Sequence, residues 1–195
     1  LVELVLYDSA KLAKEEETKV VLYTDEDVEK ILKQVHLVEY DKPFMVGEFE
    51  VTLLDAGHIL GSATVLFEEK SSGKLVSFSG DLGNTPEPLL APTHWVSKAD
   101  VAVVESTYGD EIHEPRDEIL ELAKIVAEAE AEKGTVIIPS FSLQRSQEIL
   151  YIFDQLKKQK KMAEKTPVFL DSPMAIRATE VFREFPELYN RKLQT

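Results

Sequence analysis

The sequence predicts an α/β protein in two parts, divided near residue 110. Three observations predict it. Short apolar runs recur at Val51–Leu54, Thr64–Phe67, Leu75–Phe78 and Val101–Val104, each bounded by turn residues. Apolar residues at helical spacing precede and follow that block. After Gly109 the pattern alternates helix, strand, helix, strand, helix, which implies a parallel sheet with covering helices.

Residues 1–17 read as a helix, because Leu1, Leu4, Val5 and Leu12 fall on one stripe. Val20–Tyr23 is a short apolar run. Thr24 then has the chemistry of an N-cap, and Asp25, Glu26 and Asp27 occupy the first turn, where the helix dipole favours acids. Val28, Ile31, Leu32 and Val35 give that helix an inward face. Phe49, Val51 and Leu53 alternate with Glu48, Glu50 and Thr52, as in a half-buried strand. Ser71–Lys74 is a hairpin loop between strands 62–69 and 74–79. Asn84–Pro92 carries three prolines and reads as an irregular connection. Residues 100–105 read as a buried strand that delivers Glu105 at its end. Pro115–Lys133 is a long helix with Ile119, Leu122, Ala123, Val126 and Ala129 inward, closed by Gly134. Thr135–Pro139 and Val168–Leu170 read as buried strands. A helix from about Leu143 to Lys157 lies between them, and its basic end, Lys157–Lys161, reads as a solvated C-terminus. Ser172–Pro173 starts a last helix through about Phe185.

The 195 residues carry 44% apolar and 30% charged side chains, a globular balance. There is no cysteine, which removes disulfides and thiolate ligands together. Any metal must be held by histidine and carboxylates. No apolar run is long enough to span a bilayer, and the acidic, amphipathic start is unlike a signal peptide. A cytoplasmic location is expected. The net charge of −14 argues against a broad basic surface for nucleic acid.

The stretch that organises the chain is Leu54–Ala63, with His58 between Gly57 and Gly61. Its counterpart is Ser79–Asn84, with Asp81 between Gly80 and Gly83. A histidine and an aspartate on glycine-flanked turns at strand ends suit two ligands of a hydrolytic metal. Structural turns carry the same residues, so the two readings stand side by side on spacing alone. Glu105 sits at the end of a third strand, and it could equally cap the Ser106–Thr107 turn. Ser140, Ser142 and Arg145 stand where a strand hands over to a helix N-terminus, a place that favours anions; Asp171–Ser172 is similar. N-capping by serine is the competing reading there. His36 and His94 have no motif context and read as surface or turn residues; His113 reads as a structural hydrogen-bonding residue.

Taken in order, Ala56–Ala63, Ser79–Gly83, Val103–Gly109, Ile138–Ser142 and Leu170–Ala175 resemble the β-CASP branch of the metallo-β-lactamase superfamily. The resemblance covers essentially the whole chain. It implies a partial metallo-β-lactamase domain with αββα layers over residues 1–109 and part of an inserted β-CASP domain over 110–195. It implies a zinc-dependent ribonuclease with a two-metal site, in which His58 ligates one zinc ion and Asp81 bridges both. Glu105 matches the acidic residue beyond the ligands, which orients a histidine acting on the leaving group. Ser140, Arg145 and Ser172 are the candidate substrate-binding residues. The implied partner is RNA, single-stranded in form, with a homo-oligomer or a processing-complex subunit as the state.

The family's His-x-His-x-Asp-His motif is absent, and no two histidines lie closer than 19 positions. The chain is therefore expected to begin just after that motif and to end before the family's later histidines. With two of the expected ligands, it is expected to be a poor nuclease alone, while a longer parent is competent. The alternatives are a catalytically silent β-CASP scaffold and a small-molecule metallohydrolase.

Overall fold

The structure is a computed structural model that describes residues 1–15, 20–84, 88–112 and 117–190. The first helix, α1 (Val2–Glu15), packs beside α2 (Asp25–Leu32). Thr24 takes the N-cap position of α2 as expected, and the Asp27 carboxylate accepts from its backbone N–H at 3.1 Å and from its hydroxyl at 2.9 Å. Val28 is buried, but Ile31 and Val35 stay half exposed, so the inward face is narrower than their spacing predicts. The run Val20–Tyr23 forms no regular element.

A five-stranded sheet follows in the order β1-β2-β3-β4-β5. Its strands are β1 (Phe44–Val46), β2 (Phe49–Asp55), β3 (Ala63–Glu69), β4 (Lys74–Phe78) and β5 (Val101–Val103). The expected hairpin pairs Val65 with Phe78 and Glu69 with Lys74. β1 is additional; its short mixed run carries no clear alternation. β2 and β4 both run antiparallel to β3, and β5 runs parallel to β4. The C-terminal ends of β2, β4 and β5 therefore open onto one edge of the sheet, which is the edge that carries the candidate residues.

β5 corrects one expectation. It is three residues long and exposed, not buried; Val101, Val103 and Val104 are each at least half exposed. Among the described residues it pairs on one side only, with β4, and its apolar side chains are left largely uncovered.

The second part is built on α3 (Glu118–Glu132), α4 (Arg145–Lys158) and α5 (Pro173–Glu184). Asp117 caps α3, and Lys133 turns left-handed so that Gly134 N–H reaches Ala129 O at 2.8 Å. Ala123, Val126, Phe153, Leu156 and Met162 form its core. The two strands expected at 135–139 and 168–170 are not formed. Both segments run without ladder hydrogen bonds to a neighbour, and a strand without a partner leaves its amides unsatisfied. Side-chain alternation survives without the ladder: Ile138 and Val168 pack on the core, whereas Ile137 and Phe169 are 84% and 86% exposed. Ile119, expected inward, is 40% exposed.

A second apolar cluster, Leu60, Leu89, Leu90 and Phe182, with Tyr151 against it, joins α4 and α5 to the first part. Among the described residues, no helix is long and apolar enough to cross a membrane. His113 and Pro115 lie outside the described residues.

Candidate active site at the shared edge of three strands

His58 follows β2 by three residues and Asp81 follows β4 by three. Three contacts shape the His58 turn. The Asp55 carboxylate accepts from Gly57 N–H at 2.8 Å, and Ser62 Oγ accepts from His58 N–H at 3.0 Å and Ile59 N–H at 3.2 Å. Gly57 adopts φ +65°, a conformation that resists a side chain. The two loops then meet backbone to backbone. Gly83 N–H donates to Ala56 O at 2.9 Å, and a Cβ on Gly83 would lie 1.8 Å from Gly57 O. Buried Thr93 closes the back, donating its hydroxyl to Ala56 O at 3.1 Å.

This packing leaves His58 Nε2 3.9 Å from Asp81 Oδ2, with both side chains reaching solvent. Two donors at about 2.0–2.2 Å from one ion at a tetrahedral angle stand about 3.3 Å apart, so a small closure would let this pair share a metal. Imidazole plus carboxylate is the right chemistry for zinc. Yet no third histidine, aspartate, glutamate or cysteine closes on them among the described residues. Among the described residues, two donors come together for a site that needs at least three from protein.

Glu105 is held on both oxygens. Leu82 N–H donates to Oε1 at 2.9 Å, and Oε2 accepts from Thr107 Oγ1 at 2.6 Å and Thr107 N–H at 3.2 Å. Its own N–H donates to Ser79 Oγ at 2.9 Å. The Thr107 hydroxyl first, then the two amides and the charge of nearby His58, hold its pKa below the ordinary carboxylate value. Glu105 does cap the turn that follows it, and it also braces the loop that carries Asp81.

The helical candidates assemble separately, where α4 and α5 begin. Ser172 caps α5, accepting from Ala175 N–H at 3.1 Å, and its Oγ lies 3.2 Å from Ser142 Oγ. Ser140 Oγ donates to Phe141 O at 3.1 Å and sits 2.9 Å from Ser146 Oγ. Arg145, expected as a cation ready for phosphate, is engaged on one side: Nη1 lies 3.1 Å from Glu148 Oε2. Ser140 and Ser172 line a cavity of about 940 Å³ with Asp171 and the segments 134–140 and 165–172. Leu60, two residues from His58, packs in one cluster with Tyr151 of α4 and Phe182 of α5, which links the two groups.

Sequence reasoning missed Ser62, Thr93, Gln144 and Glu148. Ser62 carries a usable signal, a hydroxyl four residues after an amide in a glycine-bounded turn. Thr93 carries none, because its partners lie far along the chain.

The molecule is thus a mixed α/β protein with a histidine–aspartate pair at the C-terminal edge of its sheet. Residues 146–195 match the Beta-Casp domain model. The whole chain is 32% identical over 195 residues to Ribonuclease TTHA0252 of Thermus thermophilus, covering 43% of that protein. It is 31% identical over 180 residues to Endoribonuclease YSH1 of Eremothecium gossypii, covering 23% of it. With Cleavage and polyadenylation specificity factor 73 of Drosophila melanogaster the identity is 28% over 179 residues, covering 26% of that protein. The chain therefore spans less than half the length of these relatives. It belongs to the β-CASP family of the metallo-β-lactamase superfamily.

Proposed function

We propose that these residues belong to a metal-dependent ribonuclease that hydrolyses phosphodiester bonds in single-stranded RNA in the cytoplasm. The observation that carries the reading is the delivery of His58 and Asp81 to within 3.9 Å from two strands that end at one sheet edge. The names of the ribonuclease relatives support it. In this reading His58 would hold one zinc ion and Asp81 would be the carboxylate that two ions share. Zinc would supply Lewis-acid charge to the phosphodiester under attack by water. The chain's own residues hold that arrangement: Gly83 against Gly57 fixes the spacing, and Glu105 steadies the Asp81 loop through Leu82 N–H. Ser140, Arg145 and Ser172 are proposed to contact substrate. The division at residue 110, a zinc rather than another metal, and membership of an oligomer or processing complex are parts of the same proposal.

Cleavage of a labelled single-stranded RNA by the metal-loaded longer parent tests it, these 195 residues alone being expected to cleave poorly. Asp81→Asn is expected to lower the rate by about 100-fold or more, since loss even of an outer support of a metal ligand costs 10–100-fold. The net charge of −14 favours a second reading, a silent scaffold, while the retention of His58, Asp81 and Glu105 opposes it. Under that reading wild type and Asp81→Asn show the same absence of cleavage while partner binding persists.

A further inference from the structure

We propose that Glu148, supported by Gln144, is a positioning residue that fixes the Arg145 guanidinium to receive a backbone phosphate. This rests on the reading that Arg145 contacts substrate.

Arg145 and Glu148 form an ion pair three residues apart, on the first turn of α4. Comparable pairs here are open to solvent on both sides: Lys30–Asp27 leaves 67% and 48% of its side chains exposed, and Lys158–Asp154 leaves 67% and 51%. Such pairs are mobile and contribute little. In Arg145–Glu148 the arginine is 58% exposed but the carboxylate only 4%. A buried carboxylate is costly unless both oxygens are partnered. Here both are: Gln144 Nε2 donates to Oε1 at 2.7 Å, and Arg145 Nη1 lies against Oε2. Holding Gln144 in this place has its own cost. Its backbone sits at φ +62°, ψ −65°, in a turn closed by Arg145 N–H to Leu143 O at 2.8 Å. Among the described residues, its buried Oε1 meets no hydrogen-bond partner.

The outcome is an exposed guanidinium on a rigid mount. Among the described residues its one carboxylate partner is met through Nη1. A planar guanidinium carries five N–H donors, so a second edge remains for a bidentate oxyanion. The surroundings suit phosphate: the N-termini of α4 and α5 meet at the Ser142–Ser172 hydroxyl pair, each with its dipole's positive end there. In a chain of net charge −14, contact with phosphate relies on a fixed local cation.

The test is a titration of the 195-residue chain with inorganic phosphate, followed at the Arg145 Nε–Hε resonance. The wild type is expected to show saturable perturbation. Glu148→Gln separates the two roles by sign. As a mere neighbouring charge, Glu148 repels phosphate, so its neutralisation would tighten binding. As a mount, its loss weakens binding, by about tenfold for one disordered charge-assisted contact. Arg145→Lys, at an exposed position, keeps the charge and loses the fork, and is expected to weaken binding similarly. Unchanged or tighter binding in Glu148→Gln overturns the proposal, as does a silent Arg145 resonance in the wild type; if Glu148→Gln fails to fold, wild-type affinity in Arg145→Lys overturns it instead. Phosphate binding with these losses but no RNA cleavage by the metal-loaded longer parent would remove the nuclease reading and leave the phosphate mount standing. Cleavage with a silent Arg145 would do the reverse.

Discussion

At the scale of single residues, the contact between the two glycine loops decides the site. Nothing but hydrogen fits between Gly83 and Gly57 O. Gly83→Ala must push the loops apart and carry Asp81 away from His58. Overpacking of this kind costs about 3 kcal/mol or more, which in a chain of this size lowers Tm by about 6–12 °C; calorimetry checks it. The glycines were legible as turn residues, but their mutual contact was not, because it joins positions 26 apart through backbone atoms. Glu105 makes a second prediction. Its folded pKa lies below the ordinary value near 4.5. Its contribution to stability is therefore complete above that value and is lost as pH falls through the depressed one. Thr107→Val removes the largest cause, so the Glu105 carboxyl should titrate closer to 4.5, as its side-chain ¹³C shift would report. An unmoved midpoint would mean that Thr107 is a bystander. The turn-capping role of Glu105 was readable from Ser106–Thr107 alone; its hold on Leu82 was not.

At the scale of elements, periodicity succeeded where an element carries its own hydrogen bonds and failed where it borrows them. α1 to α5 all lie close to the positions their apolar spacing predicts, since a helix satisfies its amides internally. The strand patterns at 135–139 and 168–170 have the right alternation but form no ladder hydrogen bonds in the described structure. Hydrogen exchange should separate the two cases. The amides of β3, paired on both sides, are expected to be strongly protected, and those of Thr135–Ile138 to exchange near the rate of an open chain. Protection at Ile137 equal to that at Leu66 would show a sheet partner in solution. Side-chain energetics should follow the same division. Leu156 is fully buried, so Leu156→Ala is expected to cost about 3 kcal/mol, while Phe169→Ala, at an exposed position, should change stability by about 0.5 kcal/mol or less by denaturant titration.

At the scale of the whole molecule, the sheet direction explains why residues 23 and 24 positions apart converge: β2, β4 and β5 run the same way, so His58, Asp81 and Glu105 leave from one edge. That much followed from strand ends and a family resemblance. The partnering of Arg145 did not, because burial of Glu148 depends on packing that no local pattern encodes. The charge balance sets the last prediction. A net charge of −14 argues against a broad basic surface, so the RNA contact proposed above would rest on a few fixed cations such as Arg145. For single strands the logarithm of affinity falls with that of salt at a slope of about −0.7 per phosphate neutralised, so about two contacts lose only about sevenfold between 50 and 200 mM salt. Fluorescence anisotropy of a labelled single-stranded RNA over that range should show a loss below about tenfold, and Arg145→Ala should flatten the slope by about 0.7. A loss of a thousandfold would require many more phosphate contacts than Arg145 and its neighbours provide, and would place the nucleic-acid footprint on a surface other than the junction of α4 and α5.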